Sequence, residues 1–409
     1  MENRIVKNTA MLYIMNIAKL VFPLLTLPYL ARVLSTDANA VYTYVKNSAL
    51  MYVQLIIDFG FMYSATKSIA QSRQDKDQIG KIVGNVMVGK GILSVLAFAV
   101  LAVMSCFIGL LGENPLYTAL SFAQAVTTIF LLDFLFHGLE QMHIITIRYL
   151  ITRVITVALT FLLIKDDSDL LLIPVLEILG NLAAIAWVWW EVKKMRIKVR
   201  VTGLSHVWKH LKESFVYFLS DMASTAFGAL NTLIIGIVML EEKVVIWGYA
   251  ITFVSVVQMM YNPVVNGIYP HMVREKSFGV IKKVLMVFLP LIAVGCAIVW
   301  FGADLLAGVL TGGVYPEVAP VLRYFIPLLF ISFPAILFGW PVLGAIGKTK
   351  ENTATTIICA VVQVLGLALL LWTQTFTLLN LAMLRAGTDL LMFALRLGVC
   401  LKHRKEFSK

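Results

Sequence analysis

The chain has 409 residues, 60% of them hydrophobic and only 14% charged, with a mean hydropathy of +0.86 and a formal net charge of +11. Soluble domains hold about 25% charged residues, so the composition excludes a soluble enzyme. Continuous rather than alternating apolar runs exclude an outer-membrane barrel, which leaves an all-α polytopic membrane protein.

Arg4 and Lys7 precede the first apolar run as they would in a signal peptide. That run continues past Pro28 without a small-residue cleavage site, so it reads as an uncleaved first span. At roughly 20 residues per crossing, the first half divides into 10–34, 40–66, 82–110, 116–141, 144–165 and 169–191. The second half divides into 213–239, 244–272, 281–303, 319–346, 352–373 and 376–401. Span ten carries Pro327, Pro334 and Pro341, and span one Pro23 and Pro28, so both are expected to bend.

With the N-terminus inside, twenty-four of the 34 lysines and arginines fall on inner segments, and only Arg32, Lys165 and Lys243 fall outside. This asymmetry places both termini in the cytoplasm and accounts for the positive charge without nucleic acid. The expected domains are an N-terminal six-helix bundle (1–191), a basic cytoplasmic linker (192–212) and a C-terminal six-helix bundle (213–409). An even number of spans per half makes the halves a parallel pseudo-repeat around a central cleft. In the linker Leu204, Val207, Trp208, Leu211 and Phe215 follow helical spacing, which suits a helix on an anionic leaflet. A solvated segment that sets topology accounts for it equally well.

Charge inside the spans is the informative conflict. The stretch Ala40 to Ala70 is long enough to cross a bilayer, yet it contains Lys46, Asn47, Gln54 and Asp58. Asn47, Gln54 and Asp58 lie within about 20° of one line on a helix, since each residue advances roughly 100°. A charge in lipid costs a few kcal/mol or more, so this stripe belongs against other helices or a watery cavity. The other in-span cations are Lys19, Lys90, Arg153, Arg323, Arg385 and Arg396, and the acids are Asp58, Asp133, Glu140, Glu177, Asp221 and Asp389.

Lys90, Arg323 and Glu140 lie close enough to span ends to snorkel. Arg385 and Asp389, at i and i+4, form a local pair, with Arg396 on the same face. Lys19, Lys46 and Arg153 have no local acid and come from different helices, which points to a lumen that attracts an anion. The competing reading pairs each with an acid on a neighbouring span. On span four, Asp133, His137 and Glu140 follow i, i+4, i+7, a spacing that serves either helix packing or a coupling proton.

No metal site or catalytic motif emerges. Asp58-Phe59-Gly60 matches the kinase metal triplet, but no phosphate loop or catalytic loop accompanies it. His206 and His210 are four apart without a third ligand. The four cysteines, Cys106, Cys296, Cys359 and Cys400, sit in apolar runs and read as small core residues.

Several stretches together resemble a known family. They are Leu34 through Tyr42-Thr43, Asp58-Phe59-Gly60, Ile69-Ala70, Phe134 through Met142, and Gly339 through Lys348-Thr349. In these the chain resembles Wzx-type polysaccharide-biosynthesis (O-antigen or capsule repeat-unit) flippases, of the superfamily that includes multidrug and toxin extruders. It departs from them at Ser35 and Thr43, where glycine is common, and at His137, where glutamine is common. The resemblance implies a non-enzymatic carrier of undecaprenyl-diphosphate-linked oligosaccharides in the bacterial cytoplasmic membrane, with membrane lipids, a polysaccharide polymerase and a chain-length regulator as partners. In similar proteins cations of the first two spans meet the diphosphate, and the matching positions are Lys19 and Lys46.

The substrate-binding candidates are therefore Lys19, Lys46, Arg153, Arg385 and Arg396. Asp58, Asp133 and His137 are candidates for coupling to H+ or Na+, and no other cofactor is expected. A cation-coupled multidrug exporter of the same fold is the alternative. A membrane-embedded polymerase is less consistent, because no long outside loop is available to carry catalytic residues.

Overall fold

The computed structural model describes residues 2–407, with side chains from residue 11 onward except at 224, 226, 227, 266, 270 and 405. Arg4, Lys7, Lys405 and Lys409, which entered the orientation reading, lie outside the described side chains. The described chain is all helical. Eleven helices are long and apolar enough to cross a membrane, and Leu204–Ala223 with Gly228–Val238, bent by 56°, makes a twelfth crossing. The described residues therefore hold eleven candidate crossings, or twelve with the bent pair counted as one, against the twelve expected from hydropathy.

Two compact units divide the chain: Met1–Thr225 with Thr232–Glu242, and Ala226–Asn231 with Lys243–Lys409. In the first unit, the second crossing (Thr36–Gln71) is interrupted twice. Ser35 caps its start, accepting from the Ala38 N–H at 3.2 Å. A π-helical turn over Val45–Ala49 then inserts an extra residue around Lys46. Further on, Phe59 and Gly60 take left-handed conformations (φ 42° and 73°) and break the helix after Asp58.

A carboxylate at a helix C-terminus opposes the helix dipole. Here Lys90 from the third crossing (Lys76–Phe107) compensates, its Nζ 2.6 Å from Asp58 Oδ1. Lys90 is buried and paired rather than snorkelling, as its position near the span end had suggested.

Span four is likewise not one helix. Pro115–Thr127 passes through a tight turn at Thr128–Leu131 to Leu132 (φ 53°), and a short helix Asp133–Gly138 follows. Glu140 lies beyond that helix at φ 57° and pairs with Arg73 at 2.6 Å. The expected i, i+7 alignment of Asp133 with Glu140 therefore does not form. Gly138 is needed here, because a Cβ would stand 2.6 Å from Ile69 Cγ2. The closeness lets Phe61, Ile69, Phe134, Leu135 and Phe136 form one buried core with Ile144 and Val207.

The linker is fixed to the first unit, although most of its residues stay exposed. Its extended part runs against the third crossing, where Cβ atoms on Gly80 and Gly84 would stand 2.0 and 2.3 Å from the Lys198 and Arg200 carbonyl oxygens. Arg200 N–H donates to Gly80 O at 3.1 Å, and Asn85 bonds Thr202 through both its amide groups. The amphipathic stretch and the seventh crossing form one helix, Leu204–Val238. Val207 and Leu211 enter the core of the first unit, while Leu204, Trp208 and Phe215 remain exposed.

In the second unit the proline-rich span bends as expected. Val318–Tyr324 and Ile326–Leu337 lead into a π-helical turn at Phe338–Gly344, with Pro334 and Pro341 inside and Gly339 at a non-helical ψ of −120°. Outside the spans, Glu406 accepts from Lys348 at 3.0 Å, which holds its carboxyl below the usual glutamate range. That tether exists at neutral pH and weakens as pH falls through the lowered value.

Candidate functional site

Within the first unit a cavity of about 270 Å³ is lined by five crossings. Phe22, Pro23 and Thr26 come from the first, Tyr42, Lys46 and Gln54 from the second, and Gln124, Tyr149, Arg153 and Glu177 from the fourth to sixth. Lys46 is exposed on the π-helical turn, and its Nζ donates to Tyr42 Oη at 2.6 Å. Widened turns of this kind recur at functional sites because they displace one side chain from the regular helical ladder.

Arg153 is held by Glu177, Nη1 to Oε1 at 2.6 Å, and its guanidinium lies 5.7 Å from the Tyr149 ring. The reading of Arg153 as unpaired is thus corrected: its partner is on the sixth crossing. Lys19 Nζ lies over the same Tyr149 ring at 5.7 Å and makes no salt bridge among the described residues. Its charged neighbours are Asp133, Arg148 and Arg153. Arg148, counted with the inner loops when the orientation was read, is buried and takes Asp133, Nη2 to Oδ2 at 2.7 Å.

The electrostatics follow from these pairings. Each carboxylate close to the site, Asp133 and Glu177, already has an arginine. Lys19 and Lys46 have only aromatic faces and a phenol. A cation–π contact contributes about 0.5–2 kcal/mol and a hydrogen bond to a charged group about 1.5–3 kcal/mol, so an anion is the stronger partner. The arrangement therefore presents the Lys46 ammonium to whatever enters the cavity, with Lys19 over the Tyr149 ring but outside the lining, and suits an anion.

The other candidates are placed differently. Asp58 pairs with Lys90 and does not line this cavity. His137 has Asp133, Lys19 and Arg148 as its charged neighbours. In the second unit Arg385 lies 3.7 Å from Asp389, the local pair expected from their spacing. Arg396 is buried, and donates to Ala335 O at 2.5 Å and to Thr355 and Thr356. Ala335 lies four residues before Gly339, so this guanidinium ties the last crossing to the helix just ahead of the kink. A Cβ on Gly339 would stand 2.8 Å from Arg396 Nη1.

Sequence reasoning did not pick out Tyr42, Tyr149 or Arg148 for the site. The available signal was a tyrosine one turn before a cation, as in Tyr42–Lys46 and Tyr149–Arg153, though Tyr63–Lys67 shares the spacing outside this site.

Known proteins place this geometry in context. Residues 5–276 match a family model described as "Polysaccharide biosynthesis protein". Relatives named "Putative O-antigen transporter" occur in Escherichia coli (strain K12), at 24% identity over 88% of this chain and 88% of the relative, and in Shigella dysenteriae, at 23% identity over 88% and 91%. Among solved structures, one described as the inward-facing conformation of a multidrug resistance MATE family transporter of the MOP superfamily aligns with a TM-score of 0.74 at 10% identity. It covers 96% of this chain and 94% of that one, so the fold is of the MOP transporter type.

Proposed function

The chain belongs to the polysaccharide biosynthesis protein family, and from that premise we propose that it moves undecaprenyl-diphosphate-linked oligosaccharide repeat units from the inner to the outer leaflet of a bacterial cytoplasmic membrane. The observation that carries this reading is the pair Lys19 and Lys46, cations at bilayer depth whose nearest carboxylates are already held by arginines. A diphosphate brings strong negative charge, and flexible ammonium groups complement it as point charges. The sugar headgroup needs a wet polar path, while the polyprenyl tail stays in lipid. Alternating access of the halves 1–191 and 213–409 is the motion such a carrier requires, with both termini cytoplasmic and a polymerase and chain-length regulator receiving the product.

The second reading, a cation-coupled multidrug exporter, is supported by the fold alone. A cavity for cationic drugs needs an available carboxylate, and here Glu177 is taken by Arg153. Deletion of the gene in a strain with a single export route separates the two. Loss of surface polysaccharide with unchanged drug sensitivity is the expected result; drug sensitivity with normal polysaccharide would reverse the assignment.

Asp133 and Asp58 each hold a buried cation, which argues for structural service rather than ion carriage. Asp133→Asn leaves Arg148 buried without its counter-charge, a loss of about 2 kcal/mol or more. The expected outcome is a lower yield of monodisperse protein and a lower thermal midpoint. A normal yield with transport that no longer depends on pH or Na+ would instead make Asp133, with His137, the coupling site.

A further inference from the structure

A second cavity of the first unit, about 810 Å³, is separate from the one holding Lys46. Its walls are the last turns of the second crossing, the start of the third, and the first turns of helix Leu204–Val238. Three lysines line it, one from each wall: Lys67, Lys81 and Lys209. None of the three forms a salt bridge among the described residues. The single carboxylate in the lining, Glu213, lies 3.8 Å from His210 of the same helix.

The walls are locked together. Ser64 and Ser214 hydroxyls meet at 2.5 Å, joining the second crossing to helix Leu204–Val238. Asn85 binds the Thr202 N–H at 3.0 Å, and Gly80 and Gly84 admit the linker backbone. Three like charges around one cavity repel one another, weakly because each is exposed, and a bound anion relieves that repulsion. Three ammonium groups among hydroxyl and amide side chains match a phosphate-type anion, and the volume falls within the usual range of about 300–1,000 Å³ for ligand sites.

We propose that this cavity binds the diphosphate of the lipid-linked cargo, as a site additional to the one at Lys46. The proposal rests on the flippase reading for the source of the diphosphate. Lys67 lies on the inner side in the orientation set by the lysine and arginine distribution, where cargo starts. The site therefore captures the headgroup before it reaches Lys19 and Lys46.

The test uses the full chain in nanodiscs, with inorganic pyrophosphate as the probe and hydrogen exchange as the locator. Pyrophosphate is expected to bind and to slow exchange in residues 204–213. Each of Lys67→Gln, Lys81→Gln and Lys209→Gln should weaken that binding about tenfold, as expected for loss of one charge-assisted contact. Glutamine removes the charge, keeps a polar end and is one atom shorter, and Lys67, Lys81 and Lys209 are exposed, so the thermal midpoint should not move. Polyprenyl diphosphate in the disc should displace pyrophosphate, whereas phosphatidylglycerol should not.

No binding by the wild-type chain, unchanged affinity in the triple variant, or displacement by phosphatidylglycerol as readily as by polyprenyl diphosphate would overturn the proposal. So would failure of polyprenyl diphosphate to compete. Cargo transport that depends on Lys46 but not on these lysines would remove this site and leave the flippase reading standing. Pyrophosphate binding without any cargo transport would do the reverse.

Discussion

Lys46→Gln is expected to lower surface polysaccharide by about ten- to a hundredfold, the range for removing one charged contact to a phosphate group worth about 1.5–3 kcal/mol. The loss should appear in export and not in folding, because the Lys46 ammonium is exposed and its structural partner is the Tyr42 hydroxyl alone. Lys46→Arg keeps the charge and should retain part of the function, while Lys19→Gln should add to the defect. The measurement is surface polysaccharide per unit of membrane-inserted protein, with accumulated lipid-linked repeat unit as the companion readout. If Lys46→Gln exports at the wild-type level, Lys46 has no place in the binding site.

Gly60→Val should be strongly damaging to the fold of the first unit, since it combines a left-handed backbone with close backbone contacts. Gly60 sits at φ 73°, where a Cβ costs about 1–2 kcal/mol by itself. That Cβ would also stand 2.6 Å from Tyr217 Cβ, 2.8 Å from the Phe218 nitrogen and 2.8 Å from the Ser214 carbonyl oxygen. Two of these are backbone atoms that no rotamer change can move, so overpacking adds about 1–3 kcal/mol. A fall of several degrees in the thermal midpoint is expected, with loss of the monodisperse peak and a smaller effect for Gly60→Ala. A wild-type midpoint for Gly60→Val would mean that helix Leu204–Val238 does not pack against this turn.

The Asp58-Phe59-Gly60 triplet shows what could and could not be read in advance. Its placement in a span, without a phosphate loop or catalytic loop, ruled out nucleotide chemistry, and the helix break at Gly60 was not anticipated. That the break brings Asp58 to Lys90 and the backbone to residues 214–218 depends on contacts distant in sequence. The twelve crossings were legible because each is a long apolar run, and hydropathy records length directly. The kink at Pro334 and Pro341 was legible for the same local reason.

Pairing was not legible. Arg153 with Glu177, and Arg148 with Asp133, join different crossings, and nothing local distinguishes them from Lys19 or Lys46. Short-range breaks also misled helical spacing, as at Glu140, which lies past the end of Asp133–Gly138. Lys19, Lys46 and Arg153 share one local signal, a cation without a local acid, yet among the described residues Arg153 has a carboxylate on another crossing and Lys19 and Lys46 make no salt bridge. Arg396 was a candidate through the charged face it shares with Arg385 and Asp389, and its guanidinium donates to the Ala335 carbonyl just ahead of the bend at Gly339.

Translocation in proteoliposomes reaches the central claim most directly, using a fluorescent oligosaccharide on polyprenyl diphosphate and the same sugar on an uncharged polyprenyl carrier. The purified chain should move the diphosphate-linked reporter to the opposite leaflet and leave the uncharged one behind, and Lys46→Gln should erase the difference. Equal movement of both reporters, or wild-type movement of the diphosphate reporter by Lys46→Gln, would contradict it.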